Sequence, residues 1–590
     1  MGVELNQRLF SAADNLRSKM DASEYKNYLL GLIFYKYLSD KLLQTVVTLA
    51  DESLEEYDTP TKQTELYKEL LEDEDSRQDL VDTLVDTLSY DIEPDYLFSS
   101  LAEQAKQNVF QLDDLKKAFV YLSSNYKQFN GLFDDVDLQS KKLGSDDQQR
   151  NVTITEVLKK LNDIDVTAHE GDVIGDAYEF LISQFASEAG KKAGEFYTPH
   201  QVSDMMARIV ALGQEDKKLF SVFDPTMGSG SLMLNVRNYL NYPKSVKYHG
   251  QELNTTTFNL AKMNLILHGV EAEDMNLRNG DTLNQDWPTD EPYTFDSVVM
   301  NPPYSAKWSA DASFLDDSRF NRYGKLAPKS KADFAFLLHG YYHLKDSGTM
   351  AIVLPHGVLF RGAAEGVIRK KLLEDGSIYA VIGMPANLFF GTSIPTTVII
   401  LKKNRDNRDV LFIDASKEFT KGKNQNKLAT EHIDKIVSTY IERQDVEKYA
   451  HVATFEEIVE AITAYQKKTK LLFVLAKVDN LVKNGRLSKL IGTVVGLLNI
   501  RMVGEASETG TLELLQKARG PKKSLQAAYE EIIKAGYAGG RIVMAHRSNE
   551  KFCQQLSERL LETFPQANIK IIPTSGLCSF YAEDGGLLMG

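Results

Sequence analysis

Two short stretches of this chain hold residue types that could do chemistry together. They are Asp224-Pro-Thr-Met-Gly-Ser-Gly230 and, 71 positions after its last glycine, Asn301-Pro-Pro-Tyr304. The first ends an apolar run, Leu219-Phe-Ser-Val-Phe223, in an acid and then turns through Gly-Ser-Gly into a helical pattern, Ser231-Leu-Met-Leu-Asn-Val236. Glycines there let the backbone approach a ligand with no Cβ in the way. The loop has neither the spaced glycines of a dinucleotide fingerprint nor a Walker lysine, so it suits a pyrophosphate poorly. A nucleoside carrying a charged amino acid fits it better. Glu252 closes the next apolar run 22 residues after Gly230, where a carboxylate accepts hydrogen bonds from both ribose hydroxyls. Gly280-Asp281-Thr-Leu283 closes a third segment, and Asp281 could receive an adenine amino group. Asp224, Gly228, Glu252 and Asp281 are thus candidate cofactor residues.

Asn301-Pro302-Pro303-Tyr304 follows the apolar run Ser297-Val-Val-Met300 and should sit at a strand end beside that cofactor. Two prolines remove backbone donors and stiffen the turn. What remains is acceptor capacity, because the Asn301 side-chain oxygen and the Pro302 carbonyl can both accept hydrogen bonds from one exocyclic NH2. Such bonds draw the nitrogen lone pair out of conjugation and aim it at a methyl donor. Tyr304 offers a ring face on which a planar base can stack, worth roughly 1–3 kcal/mol. No metal, nucleophilic side chain or strong base is required, since a sulfonium leaving group is already activated and catalysis rests on positioning.

The elements that must position these residues are legible in outline. From about 166 to 445, short apolar runs alternate with helical patterns, as in Val246-Lys-Tyr-His-Gly-Gln-Glu252, Asp296-Ser-Val-Val-Met-Asn301 and Thr349-Met-Ala-Ile-Val-Leu-Pro355. That alternation predicts an α/β fold with a parallel-rich sheet covered by helices, and ligands in such sheets bind beyond the carboxyl ends of the strands. Residues 1 to 165 read as helical, with Leu29, Leu32, Ile33 and Tyr37 at three- and four-residue steps. The acidic stretch Glu69 to Asp82 reads as a solvated face.

At 590 residues the chain has room for three to four domains of about 150 residues each. A formal charge of −15 argues against tight unassisted binding to phosphate backbones, so a nucleic-acid partner would need help from another subunit. The two cysteines, an N-terminus without an apolar signal core, and apolar runs no longer than Leu471-Leu-Phe-Val-Leu-Ala476 point to a cytoplasmic protein with no membrane partner.

Together the two motifs resemble the amino-methyltransferases that use S-adenosyl-L-methionine, with the cofactor loop preceding Asn-Pro-Pro-Tyr as in their gamma class. Gly194-Glu-Phe-Tyr-Thr-Pro-His200, Asp333-Phe-Ala-Phe-Leu-Leu-His339, Leu354-Pro-His-Gly-Val-Leu-Phe-Arg-Gly362 and Val381-Ile-Gly-Met-Pro-Ala-Asn-Leu-Phe-Phe-Gly-Thr392 resemble the modification subunit of type I restriction-modification systems. The resemblance covers about residues 1 to 460. It implies a Rossmann-like methyltransferase core over 166–465 and transfer to N6 of adenine in duplex DNA, with the base flipped out of the helix. It also implies a separate specificity subunit that reads the sequence, and a restriction subunit in the holoenzyme. By the same resemblance Glu195, Phe196, Tyr197, Thr198 and Pro199 close over the methionine end of the cofactor, Thr198 offering its hydroxyl to the carboxylate. Ser229 and Gly230 touch it from the opposite side. Arg322-Tyr-Gly-Lys-Leu-Ala-Pro-Lys-Ser-Lys331 is the nearest basic segment for DNA.

The end of the chain departs from that pattern. Residues 466–590 read as a small α/β module and resemble the C-terminal lobe of DegV-like fatty-acid-binding proteins, through Gly496-Leu-Leu-Asn-Ile500, Lys517-Ala-Arg-Gly520 and Ile542-Val-Met-Ala-His546. The favoured reading is a fused half-module without a ligand of its own; the alternative has Arg519 and His546 near an acyl carboxylate. Two other functions compete for the whole chain. One is methylation of a protein glutamine amide, which also uses Asn-Pro-Pro-Tyr, and the other is a catalytically idle scaffold.

Overall fold

In the computed structural model, residues 2–590 are described except 75–76, 167–172, 189–196, 285–286, 290–292, 390–393, 423–424, 469, 481–499, 507–511 and 575–581. The chain divides into two compact units, Met1–Phe455 and Glu456–Gly590.

The N-terminal region is helical, as its periodicity predicts. Its axis is the helix Ala22–Leu49, in which Leu29, Leu30, Leu32, Ile33, Phe34 and Tyr35 are all buried. A helix apolar on every side must be enclosed, and Pro60–Leu70, Phe98–Lys106 and Val173–Glu188 pack on it. Lys36 and Asp40, one turn apart and both buried, pair at 2.5 Å inside this bundle. The acidic stretch does form a solvated face: Asp79 and Asp82 are exposed on the helix Arg77–Leu88, which buries Leu84. The bundle's core does not stop at its own helices. It continues through Tyr178, Leu181 and Phe185 to Leu260, Met263 and Leu267 on a helix of the sheet region, so bundle and sheet form one body.

The sheet of that body contains β1 (Phe220–Asp224), β2 (Val246–Glu252), β3 (Met275–Asn279), β4 (Phe295–Met300), β5 (Leu344–Pro355), β6 (Ile378–Gly383), β7 (Thr396–Lys402) and β8 (Val410–Asp414). A two-stranded ribbon, β9 (Thr420–Lys421) and β10 (Asn426–Lys427), precedes β11 (Ala450–Ala453), which closes the edge. The order is β11-β8-β6-β7-β5-β4-β1-β2-β3. Strands β3, β2, β1, β4 and β5 are parallel, whereas β7 and β11 run against their neighbours. β4 is buried along its whole length, as expected for a parallel strand covered on both faces. The strand order reverses at β1, which lies between β2 and β4 with Val222 opposite Ser297 and Phe223 opposite Val298. Such a switch point opens a crevice at the carboxyl ends. Asp224 ends β1 and Asn301 follows β4, so both motifs emerge on the same edge, side by side.

The second unit holds β12 (Leu472–Leu475), β13 (Ile500–Ala506), β14 (Leu512–Arg519), β15 (Arg541–His546), β16 (Asn568–Pro573) and β17 (Leu587–Met589), ordered β14-β13-β12-β17-β15-β16. Helices Gly520–Lys534 and Glu550–Thr563 supply Ala527, Ala528, Ile532, Phe552, Leu556 and Leu560 to its core. Arg519 and His546 end strands that point the same way, yet four strand steps separate them, a span on the order of 19 Å at the usual spacing. One carboxylate does not reach both, which weighs against the alternative in which they share an acyl headgroup. Gly496 to Asn499 lie outside the described residues.

Candidate active site

The loop after β1 is held by its own polar groups. Asp224, 1% exposed, accepts from the Thr226 backbone N–H at 2.9 Å and from the Thr226 hydroxyl at 3.3 Å. Met227 N–H bonds the Gln251 carbonyl of β2 at 3.0 Å, which lays the loop across that strand. Gly228 N–H then donates to Glu252 Oε2 at 3.1 Å, and Asn254 N–H donates to Oε1 at 2.9 Å. Gly230 has φ +78° and opens the helix Ser231–Leu234. At that φ any side chain is strained, and a Cβ at Gly230 would lie 2.7 Å from Leu265 Cδ1, so the position does not take a side chain at ordinary cost. The Ser229 carbonyl accepts from Asn264 Nδ2 at 3.0 Å.

The segment after β3 is tied to the same loop. Gly280 N–H bonds the Glu252 carbonyl at 3.0 Å, and the Thr282 hydroxyl donates to the Pro225 carbonyl at 2.5 Å. The Asp281 carboxylate caps its own turn, accepting from Leu283 N–H at 3.0 Å and Asn284 Nδ2 at 2.6 Å. Sequence reasoning missed Arg319. It is 2% exposed, ion-paired to Asp317, and donates to the Thr282 and Leu283 carbonyls at 3.1 and 3.2 Å. A lone arginine without a motif around it gives no signal in one sequence.

On the other side of the crevice, Asn301 Nδ2 donates to Thr198 Oγ1 at 3.1 Å, and the Tyr304 hydroxyl donates to Asn301 Oδ1 at 2.9 Å. The Tyr304 ring meets Phe389 edge-on at 6.1 Å. Thr198 therefore partners the Asn301 amide, a contact that the sequence reading, which sent its hydroxyl to a cofactor carboxylate, did not foresee. Pro199 caps the helix His200–Ala211, its carbonyl accepting from Val202 and Ser203 N–H. Glu195 and Phe196 lie outside the described residues. Tyr197, Thr198, Asp224, Gly228, Ser229 and Asn301 line a single pocket, so residues from three separate stretches of sequence share one concavity.

Its electrostatics favour a cation. Burial, reinforced by the charge of Glu252, pushes the Asp224 carboxyl up to about 8 against the pull of its Thr226 hydrogen bonds. Burial raises Glu252 as well. Among the described residues neither carboxylate has an ion-pair partner. A ligand bringing positive charge to Asp224 and hydroxyl donors to Glu252 would relieve both groups.

Residues 169–475 match the family described as N-6 DNA Methylase, and residues 5–161 match the HsdM N-terminal domain. The chain belongs to the N-6 DNA methylase family, in its type I restriction-modification branch. This methylase is 37% identical over 487 residues to the type I restriction enzyme MpnII methylase subunit of Mycoplasma pneumoniae, covering 78% of this chain and 87% of that one. A type I restriction-modification methyltransferase subunit of Streptococcus thermophilus, solved by crystallography, is 57% identical with a TM-score of 0.76, over 78% of this chain and 97% of that one. The activity of the family is N6-adenine methylation of DNA. Residues 446–588 match the DegV family, and 137 residues are 88% identical to a DegV domain-containing protein of Streptococcus pneumoniae. That match covers 23% of the methylase and 49% of the relative, so the DegV-like segment spans about half the length of such proteins. No helix among the described residues is long and apolar enough to cross a membrane.

Proposed function

We propose that this methylase binds S-adenosyl-L-methionine between the loop 224–230 and the segment Tyr197–Pro199, and presents it to an adenine flipped out of duplex DNA onto Asn301-Pro302-Pro303-Tyr304. The cofactor supplies an electrophilic methyl group on a sulfonium. Glu252 accepts from the ribose hydroxyls, and the segment Asp281–Leu283, braced by Arg319, borders the adenine ring. Asp224 and the backbone of Gly228, Ser229 and Gly230 face the charged end, where a positive group draws the proton from the carboxyl whose pKa burial has raised.

Asn301 Oδ1 is the acceptor for the target amino group. With Nδ2 bonded to Thr198, the amide is turned so that Oδ1 faces Tyr304. The incoming NH2 takes over the bond that the Tyr304 hydroxyl now makes, and the Pro302 carbonyl receives its second hydrogen. Tyr304 then stacks on the base. The observation that carries this reading is the shared pocket at the β1/β4 switch, with Asn301 and Asp224 in its wall.

Flipping needs a grip on the duplex, which an overall charge of −15 opposes. We assign that grip to a specificity subunit, which also chooses the target sequence, and we place the protein in the cytoplasm with a restriction subunit in the holoenzyme. On the methylase itself, Lys325, Lys329 and Lys331 of the basic segment are the DNA-facing charges. Arg322, expected to join them, is instead held by Asp375 at 2.5 Å.

Calorimetric titration of S-adenosyl-L-methionine, followed by tritiated methyl transfer to adenine-containing duplex with and without the specificity subunit, tests the proposal. Saturable cofactor binding and label in DNA are expected. Label in protein alone would select glutamine-amide methylation, and no label anywhere would select an idle scaffold.

A further inference from the structure

The motifs Asp333–His339 and Leu354–Gly362 have no part in the chemistry above, yet they meet behind the target loop. Asp333, fully buried, accepts from the Ser305 backbone N–H at 2.7 Å, directly after Tyr304, where Ser305 adopts φ +54°. Its second oxygen accepts from Arg361 Nη2 at 2.5 Å, and Arg361 also pairs with buried Glu365. A Cβ at Gly357 would collide with the Arg361 guanidinium, so the glycine of Pro-His-Gly makes room for it. Arg369 Nη1 donates to the carbonyls of Val358 and Arg361, at 2.8 and 3.0 Å.

Phe360 stands on this mount. Val358, two residues before it, is buried and Arg361 after it lies in the ion-pair strut, yet Phe360 is 76% exposed. It follows the carboxyl end of β5, the strand beside β4, so it projects from the same edge as Asn301. Single exposed apolar side chains are common on protein surfaces. This one differs in that the next residue, Arg361, belongs to a buried Asp–Arg–Glu lattice that also pins the target loop. The exposed Lys307, Lys325 and Lys329 lie on the stretch running from that loop to Asp333 and make no ion pair among the described residues. Charges suited to phosphates and an exposed ring suited to a base are thus carried by the segments that meet behind the target loop.

We propose that Phe360 is a DNA-contacting residue whose ring packs against a base unstacked when the target adenine leaves the helix, with Asp333, Arg361 and Glu365 as the residues that position it. Flipping breaks stacking on both sides of the extruded nucleotide, and apolar side chains inserted at such steps hold the distorted duplex. The inference rests on duplex DNA as the substrate and on Asn301–Tyr304 as the loop that receives the adenine.

The test uses the full chain co-expressed with its specificity subunit, on duplex DNA prepared without adenine methylation. Phe360→Leu and Phe360→Trp are compared with wild type for cofactor affinity by calorimetry, for methyl transfer across DNA concentrations, and for complex size by gel filtration. We expect Phe360→Leu to lower transfer at limiting DNA by about 5- to 100-fold, the scale of one lost stacking contact. Cofactor affinity and complex size stay unchanged, and Phe360→Trp retains transfer. Wild-type transfer by Phe360→Leu would overturn the proposal. So would a complex that falls apart, which would make Phe360 a contact to the specificity subunit. Absence of transfer by the wild-type complex would instead remove the DNA methylation reading beneath it.

Discussion

At the scale of single residues, the proposed site acts by placing acceptors and charges, and Asn301 and Asp224 test this in different ways. Asn301→Ala removes the oxygen proposed to receive the amino group but leaves Asp224, Glu252 and the loop between them intact. Methyl transfer should fall by at least about a hundredfold, the scale of losing one preorganised polar group at a reacting centre, while calorimetry shows cofactor binding preserved. Asp224 sets a pH dependence. Its carboxyl, pushed up to about 8 by burial, carries a proton at neutral pH in the cofactor-free protein. A cationic ligand favours the carboxylate, so cofactor affinity should rise with pH and level off above about 8. The proton released at pH 7 is measurable by calorimetry in buffers of different ionisation enthalpy, and equal apparent enthalpies would refute it. The same shift has a stability consequence of fixed sign. A raised carboxyl pKa stabilises the cofactor-free fold fully below the unfolded value near 4, and that contribution is lost as pH climbs through about 8.

At the scale of elements, what matters is how strand ends and turns hold these groups. Gly230 is the hinge between β1's loop and the helix that follows, with φ +78° and no space for a Cβ beside Leu265. Gly230→Ala combines left-handed strain with overpacking, at a cost of about 2 kcal/mol or more. We expect a lower melting temperature and weaker cofactor binding, because the amides of Gly228 and Ser229 move with the turn. A variant with wild-type melting and affinity would show that the loop has slack. The strands themselves were readable from one sequence: the runs ending in Asp224, Glu252 and Asn301 are β1, β2 and β4, with ends where the apolar pattern stops. The reversed strands β7 and β11 were not readable, since a buried strand is apolar whichever way it runs.

At the scale of the whole molecule, two units of different descent share one chain. The unit Met1–Phe455 has its own cores, with the helical bundle fused to the sheet through Leu260, Met263 and Leu267. A chain ending after Phe455 should therefore bind cofactor with the affinity of the full-length protein, as calorimetry would report. A large loss would mean that the DegV-like segment supports the site. That segment, about half the length of its relatives, keeps an ordered sheet and core, but Arg519 and His546 end strands too far apart to grip one headgroup.

The amino-acid sequence by itself determined the methylase family and where its two motifs fall, because local patterns encode them: an acid and glycines at one strand end, acceptors stiffened by proline at another, and a carboxylate 22 residues past the turn. It also determined the helical bundle and the foreign character of the last segment. Only the tertiary structure decided what holds these groups. Asn301 takes its orientation from Thr198, 103 residues away in sequence. Arg319 braces carbonyls that nothing near it in the chain foretells, and Asp333 reaches back to Ser305 and across to Arg361. Such partners are brought together by the packing of distant segments, and hydrogen-bond geometry between distant residues leaves no periodic trace in the chain.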